Sequence, residues 1–375
     1  MLERRYLKNL DFNLILVVLA IMGIGLMAIG SATNGLILDD PFSYVKKQAL
    51  WIIFGAVAAF IVLTIDYTDF MRFSNILYGL NLALLALVVV AGNSSKGSQR
   101  WIGVGPLEIQ PSEIAKIVVI LTLASYLASR EGRIRRWFDL IPALLHMGVP
   151  AALVLLQPDL GTSLVFVAIL FGMIFMAGVS WTYLVVLGGA GLGAVVSVIL
   201  LQLNGVITVL KDYQLNRLIV FLNPEYDRWG AGWHIFQSKI ALGSGGALGK
   251  GLFAGTQNQR HFLPEQHTDF IFSVIGEEAG LVGTILLLLL FFMLLWRGMQ
   301  IANSAKDVYG TLVVTGIVSM WLFQLFINIG MTMGTMPITG LPLPFVSYGG
   351  SSLLTNAVAV GLILNVYMRR QKILF

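Results

Sequence analysis

The chain has 375 residues, 57% hydrophobic and 11% charged, with a net charge of +5 and no cysteine. A soluble domain carries roughly a quarter charged residues, so this composition excludes a water-soluble fold and implies a polytopic membrane protein. Disulfides, thiolate nucleophiles and cysteine-based metal sites are excluded as well, and the modest positive charge, placed between apolar runs, reflects membrane orientation rather than nucleic-acid binding.

A membrane span needs roughly 20 apolar residues. Runs of this kind predict ten transmembrane helices, at about 12–31, 48–65, 73–91, 111–128, 140–157, 160–179, 183–204, 269–296, 308–332 and 347–367. The first reads as a span and not as a cleavable signal, because 12–29 is long and lacks a small-residue cleavage site. The fifth and sixth meet in a tight hairpin at Pro158 and Asp159. The expected fold is all-α: one domain, 1–375, with a single large extracytoplasmic loop at 205–268. Within that loop, 215–222 and 229–240 carry enough apolar residues to form short helices on the membrane surface.

Orientation follows from the basic residues. With a cytoplasmic N-terminus, the inner segments hold Arg4, Arg5, Lys8, Arg72, Arg130, Arg133, Arg135, Arg136, Arg297, Lys306, Arg369, Arg370 and Lys372. The short outer loops hold only Lys46, Lys47, Lys96 and Arg100. Both termini are therefore expected in the cytoplasm.

Acidic residues near lipid are costly and usually have a task. Asp269 stands where the long loop enters the eighth span. If it begins that helix, a rotation of roughly 100° per residue puts Ser273, Gly276 and Gly280 near its face, where small side chains let a helix or ligand approach. The alternative is a helix-start carboxylate stabilised by the dipole, with Thr268 as cap. Glu277 and Glu278 come about 12 Å further along the same helix; either they pair with a basic residue or backbone gap, or they serve a substrate. Glu113 and Lys116 lie one turn apart after Gln110-Pro111, a helix-start pattern. The Lys116 ammonium either neutralises Glu113 or holds a substrate phosphate. Arg100, beside Trp101, either meets an anionic headgroup or snorkels.

Further features carry weaker readings. The glycine-rich run 243–251 fails the phosphate-loop spacing at Ser244 and Gly251 and reads as a mobile, turn-rich loop. Gly189 and Gly193 form a GxxxG in the seventh span, read as internal packing in preference to a dimer face. The segment 337–352 is apolar yet broken by prolines, so it must be buried in protein or line a cavity. Its Ser/Gly end opens the last helix, whose N-terminus can receive an anion; the alternative is that the glycines serve packing. The four histidines, His146, His234, His261 and His267, are dispersed, which argues against a zinc site. The eighth and ninth spans are apolar around most of their circumference, so either offers a face to a partner's single span.

Several long motifs then stand in one order. Phe262-Leu-Pro-Glu-Gln-His-Thr-Asp-Phe-Ile-Phe272 with Gly276-Glu-Glu278, Gln110-Pro-Ser-Glu-Ile-Ala-Lys116, Gln157-Pro-Asp-Leu-Gly-Thr-Ser163 and Pro342-Leu-Pro-Phe-Val-Ser-Tyr-Gly-Gly-Ser-Ser352 resemble the SEDS family (shape, elongation, division and sporulation) across nearly the whole chain. Within the family, 230–241 and 255–259 look like the RodA branch rather than the FtsW branch.

The resemblance implies a peptidoglycan glycosyltransferase in the bacterial cytoplasmic membrane that polymerises lipid II on the outer face during cell elongation. It implies a class B penicillin-binding protein and the elongation machinery as partners. The family's catalytic aspartate matches Asp269; Arg100, Glu113, Lys116, Lys239, Glu277, Ser347 and Ser351 are expected on the substrate, with a divalent cation (Mg or Mn) as a candidate aid to the leaving pyrophosphate. The rival readings are a lipid II flippase and a non-enzymatic scaffold that activates the penicillin-binding protein.

Overall fold

In the computed structural model, residues 9–370 are described except 35–39, 41, 92, 96–97, 105–106, 134–135, 209–211, 228 and 260–261. Arg4, Arg5, Lys8, Lys96, Arg135, His261 and Lys372 thus lie outside the described residues. The chain is a polytopic helical membrane protein. The long apolar helices are α1 (Phe12–Thr33), α2 (Ser43–Thr64), α4 (Ser74–Ala91), α5 (Pro111–Ala128), α6 (Trp137–Leu156), α7 (Leu160–Met176), α8 (Trp181–Leu203), α12 (Ile271–Asn303), α13 (Val308–Thr332) and α14 (Gly350–Met368). Each overlaps one of the ten predicted spans. A short α3 (Tyr67–Arg72) follows α2, and α9 (Asp212–Leu222), α10 (Ala231–Ser244) and α11 (Thr256–Gln259) lie between α8 and α12.

Aspartates start several of these helices. Asp11 caps α1 by accepting from Leu14 N at 3.0 Å, and Asp307 caps α13 by accepting from Gly310 N at 2.7 Å. Such caps satisfy donors that would otherwise be orphaned at a membrane boundary. The loop between α4 and α5 departs from an all-helical reading. It holds three short antiparallel strands, β1 (Asn93–Ser95), β2 (Ser98–Val104) and β3 (Leu107–Ile109), in the order β1-β2-β3. Ile102 pairs with Ile109, which folds Arg100 and Trp101 back over the end of the bundle.

Between helices in lipid there is no hydrophobic drive, so close backbone approach has to supply the packing. α2 and α14 show it: a methyl on Gly361 would stand 2.9 Å from Ala59 O, and one on Gly55 would stand 2.9 Å from Ala357 Cβ. α14 is enclosed over 78% of its most apolar stretch and α13 over 67%, so α13 offers little of the free face expected of it, while α12, at 28%, keeps one. α8 is only 6% enclosed, and a methyl added at Gly189 or Gly193 would meet nothing within 4 Å. The GxxxG of α8 therefore does not pack internally, contrary to the sequence expectation, because among the described residues no other helix reaches those two positions.

α12 is two helices joined at Gly280, whose φ of 65° and ψ of −161° only glycine adopts without strain. The glycine-rich run fills that break. Lys250 N donates to Glu277 O at 3.0 Å and Gly251 N to Glu278 O at 2.9 Å, while Leu281 N and Val282 N donate to Gly246 O and Ala247 O at 2.9 and 3.1 Å. This is a docked loop rather than the free, mobile turn the sequence suggested. The half-helix 271–279 is in turn packed on α10, where Ser238 and Ser273 share a 2.7 Å hydrogen bond and Leu242 covers Gly276.

At the end remote from this break, Arg297 holds Asp11 at 2.6 Å, Arg369 holds Asp66 at 3.3 Å, and the Tyr67 hydroxyl donates to Asp307 at 2.5 Å. These contacts tie α1, α3, α12, α13 and α14 together.

Candidate active site

The long motifs of the sequence meet at one end of the bundle. α5 begins there, the α6–α7 hairpin turns there, and α14 begins there. Gln110 links all three: its Nε2 donates to Asp159 Oδ2 at 3.0 Å and its backbone N–H to Ser351 Oγ at 3.1 Å. Between these elements opens a cleft of about 450 Å³, whose walls include Arg100, Glu113, Asp159, Arg217, Glu265 and Asp269. Small-molecule sites run from about 300 to 1,000 Å³, so a sugar-sized group fits.

Asp269 does not open the helix; α12 starts at Ile271. It sits on the turn before it, where the proline-broken segment 337–349 fixes the backbone from the other side. Tyr348 N donates to His267 O at 2.9 Å, the Ser347 hydroxyl donates to Thr268 O at 2.7 Å, and Asn328 Nδ2 donates to both Asp269 O at 3.0 Å and Leu341 O at 2.8 Å. Gly340, at φ 74°, lies under the carboxylate: a methyl there would stand 3.4 Å from Asp269 Oδ2. The segment itself is buried against α1, as its depth requires. The face of α12 with Ser273 and Gly276, expected beside Asp269, is occupied by α10 and offers no room for a ligand.

Arg100 is anchored on the hairpin. Its Nε donates to Gln157 O at 3.1 Å, its Nη2 to Pro158 O, and its Nη1 stands 3.7 Å from Asp159 Oδ1. Asp159 also caps α7, accepting from Thr162 N at 3.1 Å. Glu113 reaches the cleft, while Lys116 is buried behind it and holds Glu113 Oε1 at 2.7 Å. Of the two roles open to Lys116, neutralising Glu113 is the one the geometry displays. Glu113 Oε2 is buried and makes no hydrogen bond within the protein.

Ser351 lines the cleft at the start of α14; Ser347 acts on the backbone of Thr268 instead. Glu277 and Lys239 do not line it. Glu277 lies at the end of the bundle near the Gly280 break rather than deep in a span, and its neighbour Glu278 accepts hydrogen bonds from Ser31, near the end of α1, and from Asn258. The Glu277 carboxylate is taken up by Lys250 Nζ at 2.7 Å, the Thr256 hydroxyl at 3.1 Å and the backbone N–H groups of Gln257 and Asn258 at 3.0 and 3.2 Å. Lys239 is exposed and passes over Gly334.

Among the cleft residues that the sequence reading did not name for the site are Arg217, Glu265 and Tyr348. Glu265 lies inside the motif that carries Asp269, which was a signal; Arg217, the one cation in the apolar stretch 215–222, carried none that told which way it faces. Burial, then Tyr44 and Glu108, push the Tyr348 phenol above its usual value, so it stays a neutral donor at physiological pH. Two of the cleft carboxylates are already engaged. Asp159 is engaged by Gln110, Thr162 and Arg100, Glu113 by Lys116, and no group of three acidic or histidine side chains among the described residues is arranged to hold a metal. No step is assigned to one.

Residues 11–372 match FtsW/RodA/SpoVE, a family of cell cycle proteins. The chain belongs to this family. It is 41% identical over 365 residues to stage V sporulation protein E of Bacillus subtilis (strain 168), covering 95% of this chain and 96% of that protein. It is 37% identical to the probable peptidoglycan glycosyltransferase FtsW of Trichlorobacter lovleyi, covering 96% and 93%. It is 36% identical to peptidoglycan glycosyltransferase MrdB of Escherichia coli (strain K12), covering 97% and 95%. Among solved structures it is similar to a chain of a peptidoglycan synthase complex described as coordinating polymerization and crosslinking, at TM-score 0.82 and 34% identity over 96% of this chain and 98% of that one. It is also similar to the rod shape determining protein RodA of Thermus thermophilus, at TM-score 0.71 and 31% identity over 97% and 98%. Sporulation, FtsW, MrdB and RodA members all match, so the family is established and the RodA branch is not singled out.

Proposed function

We propose that this FtsW/RodA/SpoVE-family chain is a peptidoglycan glycosyltransferase that polymerises lipid II, with Asp269 as general base. The observation that carries this reading is the placement of Asp269. Its backbone is held by Tyr348, Ser347 and Asn328, and its carboxylate is on the wall of a cleft that also presents Arg100 and Arg217. A sugar hydroxyl is a poor nucleophile and benefits from a positioned base. Asp269 takes the proton of the acceptor GlcNAc 4-hydroxyl as its oxygen bonds to C1 of the donor MurNAc. The C1–O bond to undecaprenyl pyrophosphate breaks with inversion, and the electron pair leaves on the pyrophosphate. Arg100 and Arg217 stabilise that negative charge; Lys116 serves through Glu113, which it holds in place.

The cleft end faces away from the cytoplasm in this proposal, within a single transmembrane domain whose extracytoplasmic loop is 205–268, and both termini are cytoplasmic. Support comes from charge: Arg72, Arg130, Arg133, Arg136, Arg297, Lys306, Arg369 and Arg370 all lie in or beside the terminal turns at the helix ends opposite the cleft. The protein then sits in the bacterial cytoplasmic membrane, works in cell elongation, and pairs with a class B penicillin-binding protein that crosslinks the strands.

The test is polymerisation of lipid II by purified protein, with and without that partner. Wild type should yield glycan strands and Asp269→Asn none, at equal folded protein. Strands from the variant would remove Asp269 as the base; strands from neither protein would return the flippase and scaffold readings.

A further inference from the structure

The loop docked at the α12 break is turned inside out for a water-facing loop. Its charge points inward: Lys250 Nζ is held by Glu277 at 2.7 Å and by the Thr256 hydroxyl at 2.8 Å. Its apolar side chains point outward. Leu248 is 80% exposed, Leu252 58% and Phe253 45%. Isolated exposed apolar residues are ordinary, but three within six positions, beside a lysine withdrawn into the protein, form a patch that calls for a cover.

The position of the patch says what that cover is. Gly246 O and Ala247 O accept from Leu281 N and Val282 N, the first two residues of the long arm of α12. From that point α12 shows an unbroken apolar face to the outside, beginning with Leu281 and Val282, 59% and 58% exposed, and continuing through Ile285, Leu286 and Leu289. In a membrane protein that face is the lipid contact. Leu248 follows directly on the two residues that bond Leu281 and Val282, so Leu248, Leu252 and Phe253 lie beside the start of that face. Contiguity of this kind with a lipid face is what an interfacial anchor requires.

We propose that residues 246–254 form a wedge in the boundary between headgroups and acyl chains of the bilayer, with Leu248, Leu252 and Phe253 as the inserted side chains. The wedge ties the half-helix 271–279, and through it the turn that carries Asp269, to the membrane surface. The link is direct: Lys250 N and Gly251 N bond the carbonyls of Glu277 and Glu278 in that half-helix. The wedge requires only that the chain spans a membrane, so it stands or falls separately from the catalytic reading.

The absence of native cysteine makes the test clean. Leu248→Cys and Leu252→Cys would be labelled with an environment-sensitive fluorophore in the full chain, in nanodiscs of phosphatidylethanolamine and phosphatidylglycerol. Glu225→Cys, on the exposed part of the same loop, serves as the aqueous reference, and Leu286→Cys as the lipid-facing one. Labels at 248 and 252 should be quenched by lipids carrying a nitroxide at carbon 5 at least threefold more than the label at 225. They should also be shielded from aqueous iodide by a similar factor. Iodide quenching equal to that at 225, without lipid quenching, would overturn the wedge. Shielding that arises only when a partner protein is added would overturn it too, and would assign the patch to that partner.

Discussion

At the scale of single residues, the candidate site works by indirect support. The Asp269 carboxylate is positioned by what happens to its own backbone and by the absence of a side chain at Gly340. Gly340→Ala asks an L-residue to hold φ 74° and sets a methyl 3.4 Å from Oδ2. The strain should cost about 1 kcal/mol of stability, and the backbone shift that relieves it should move the carboxylate and lower kcat between about tenfold and a hundredfold with little change in KM. Steady-state kinetics on folded protein checks the split. Glu113 and Lys116 give a second case. They form a buried pair at 2.7 Å, so Lys116→Met leaves a buried carboxylate alone and should destabilise the protein by about 3–5 kcal/mol. Adding Glu113→Gln removes the stranded charge, so the double variant should recover most of the thermal stability in detergent while staying inactive. Recovery of activity along with stability would show that the pair is structural alone. Asp269, Arg100, Glu113 and Ser351 were legible in the sequence because charged and polar residues at the ends of apolar runs stand out. Arg217 was not, since nothing in a lone arginine of a loop helix says which wall it will face. Glu277 stayed between two readings for a related reason: a buried acid looks alike in sequence whether its partner is a substrate or the loop carrying Lys250, Thr256 and Asn258.

At the scale of elements, the ten spans were legible because apolar length is what a bilayer demands of a helix. What the pattern of hydropathy could not give was the interruption of α12. The run 269–296 reads as one apolar segment, and only the backbone angles at Gly280 split it. The glycines at 245–251 were visible as unusual, but their use depends on a surface from elsewhere in the chain. A methyl on Gly280 would stand 2.3 Å from Gly249 N, and one on Gly249 would stand 2.1 Å from Glu278 O. Gly280→Ala should therefore cost about 1–3 kcal/mol from backbone strain alone and also push the loop off the helix. Protease cleavage within 246–258 should accelerate in proportion. Gly243→Ala is the matched control: nothing lies within 4 Å of its new methyl, so it should leave both stability and cleavage as in wild type. Equal effects of the two substitutions would mean that the docked loop contributes nothing to the fold.

At the scale of the whole molecule, enclosure is uneven, and that unevenness separates the parts that hold the site from the parts that surround it. α5, α13 and α14 are enclosed over 72%, 67% and 78% of their apolar stretches, and each of them bears on the cleft: Glu113 on α5, Asn328 on α13, Ser351 on α14. α8, enclosed over 6%, contributes no residue to it. Glycines in the two regions should consequently behave in opposite ways, although the sequence presents both as small-residue patterns in apolar helices. Gly361 faces Ala59 at a distance that leaves no room for a side chain, and it sets the α2–α14 contact on which the start of α14 depends. Gly361→Leu should force those helices apart and cost about 3 kcal/mol or more, since overpacking of this size cannot be absorbed by a rotamer change. The protein should elute as aggregate or lose its cooperative thermal transition in detergent. Gly193→Leu projects into open space and exchanges one lipid-facing surface for another, so elution, melting temperature and polymerisation should match wild type. Should Gly193→Leu prove as damaging as Gly361→Leu in the purified chain, α8 must contact some other face of this bundle or of a second copy, and its separation from the site would no longer hold.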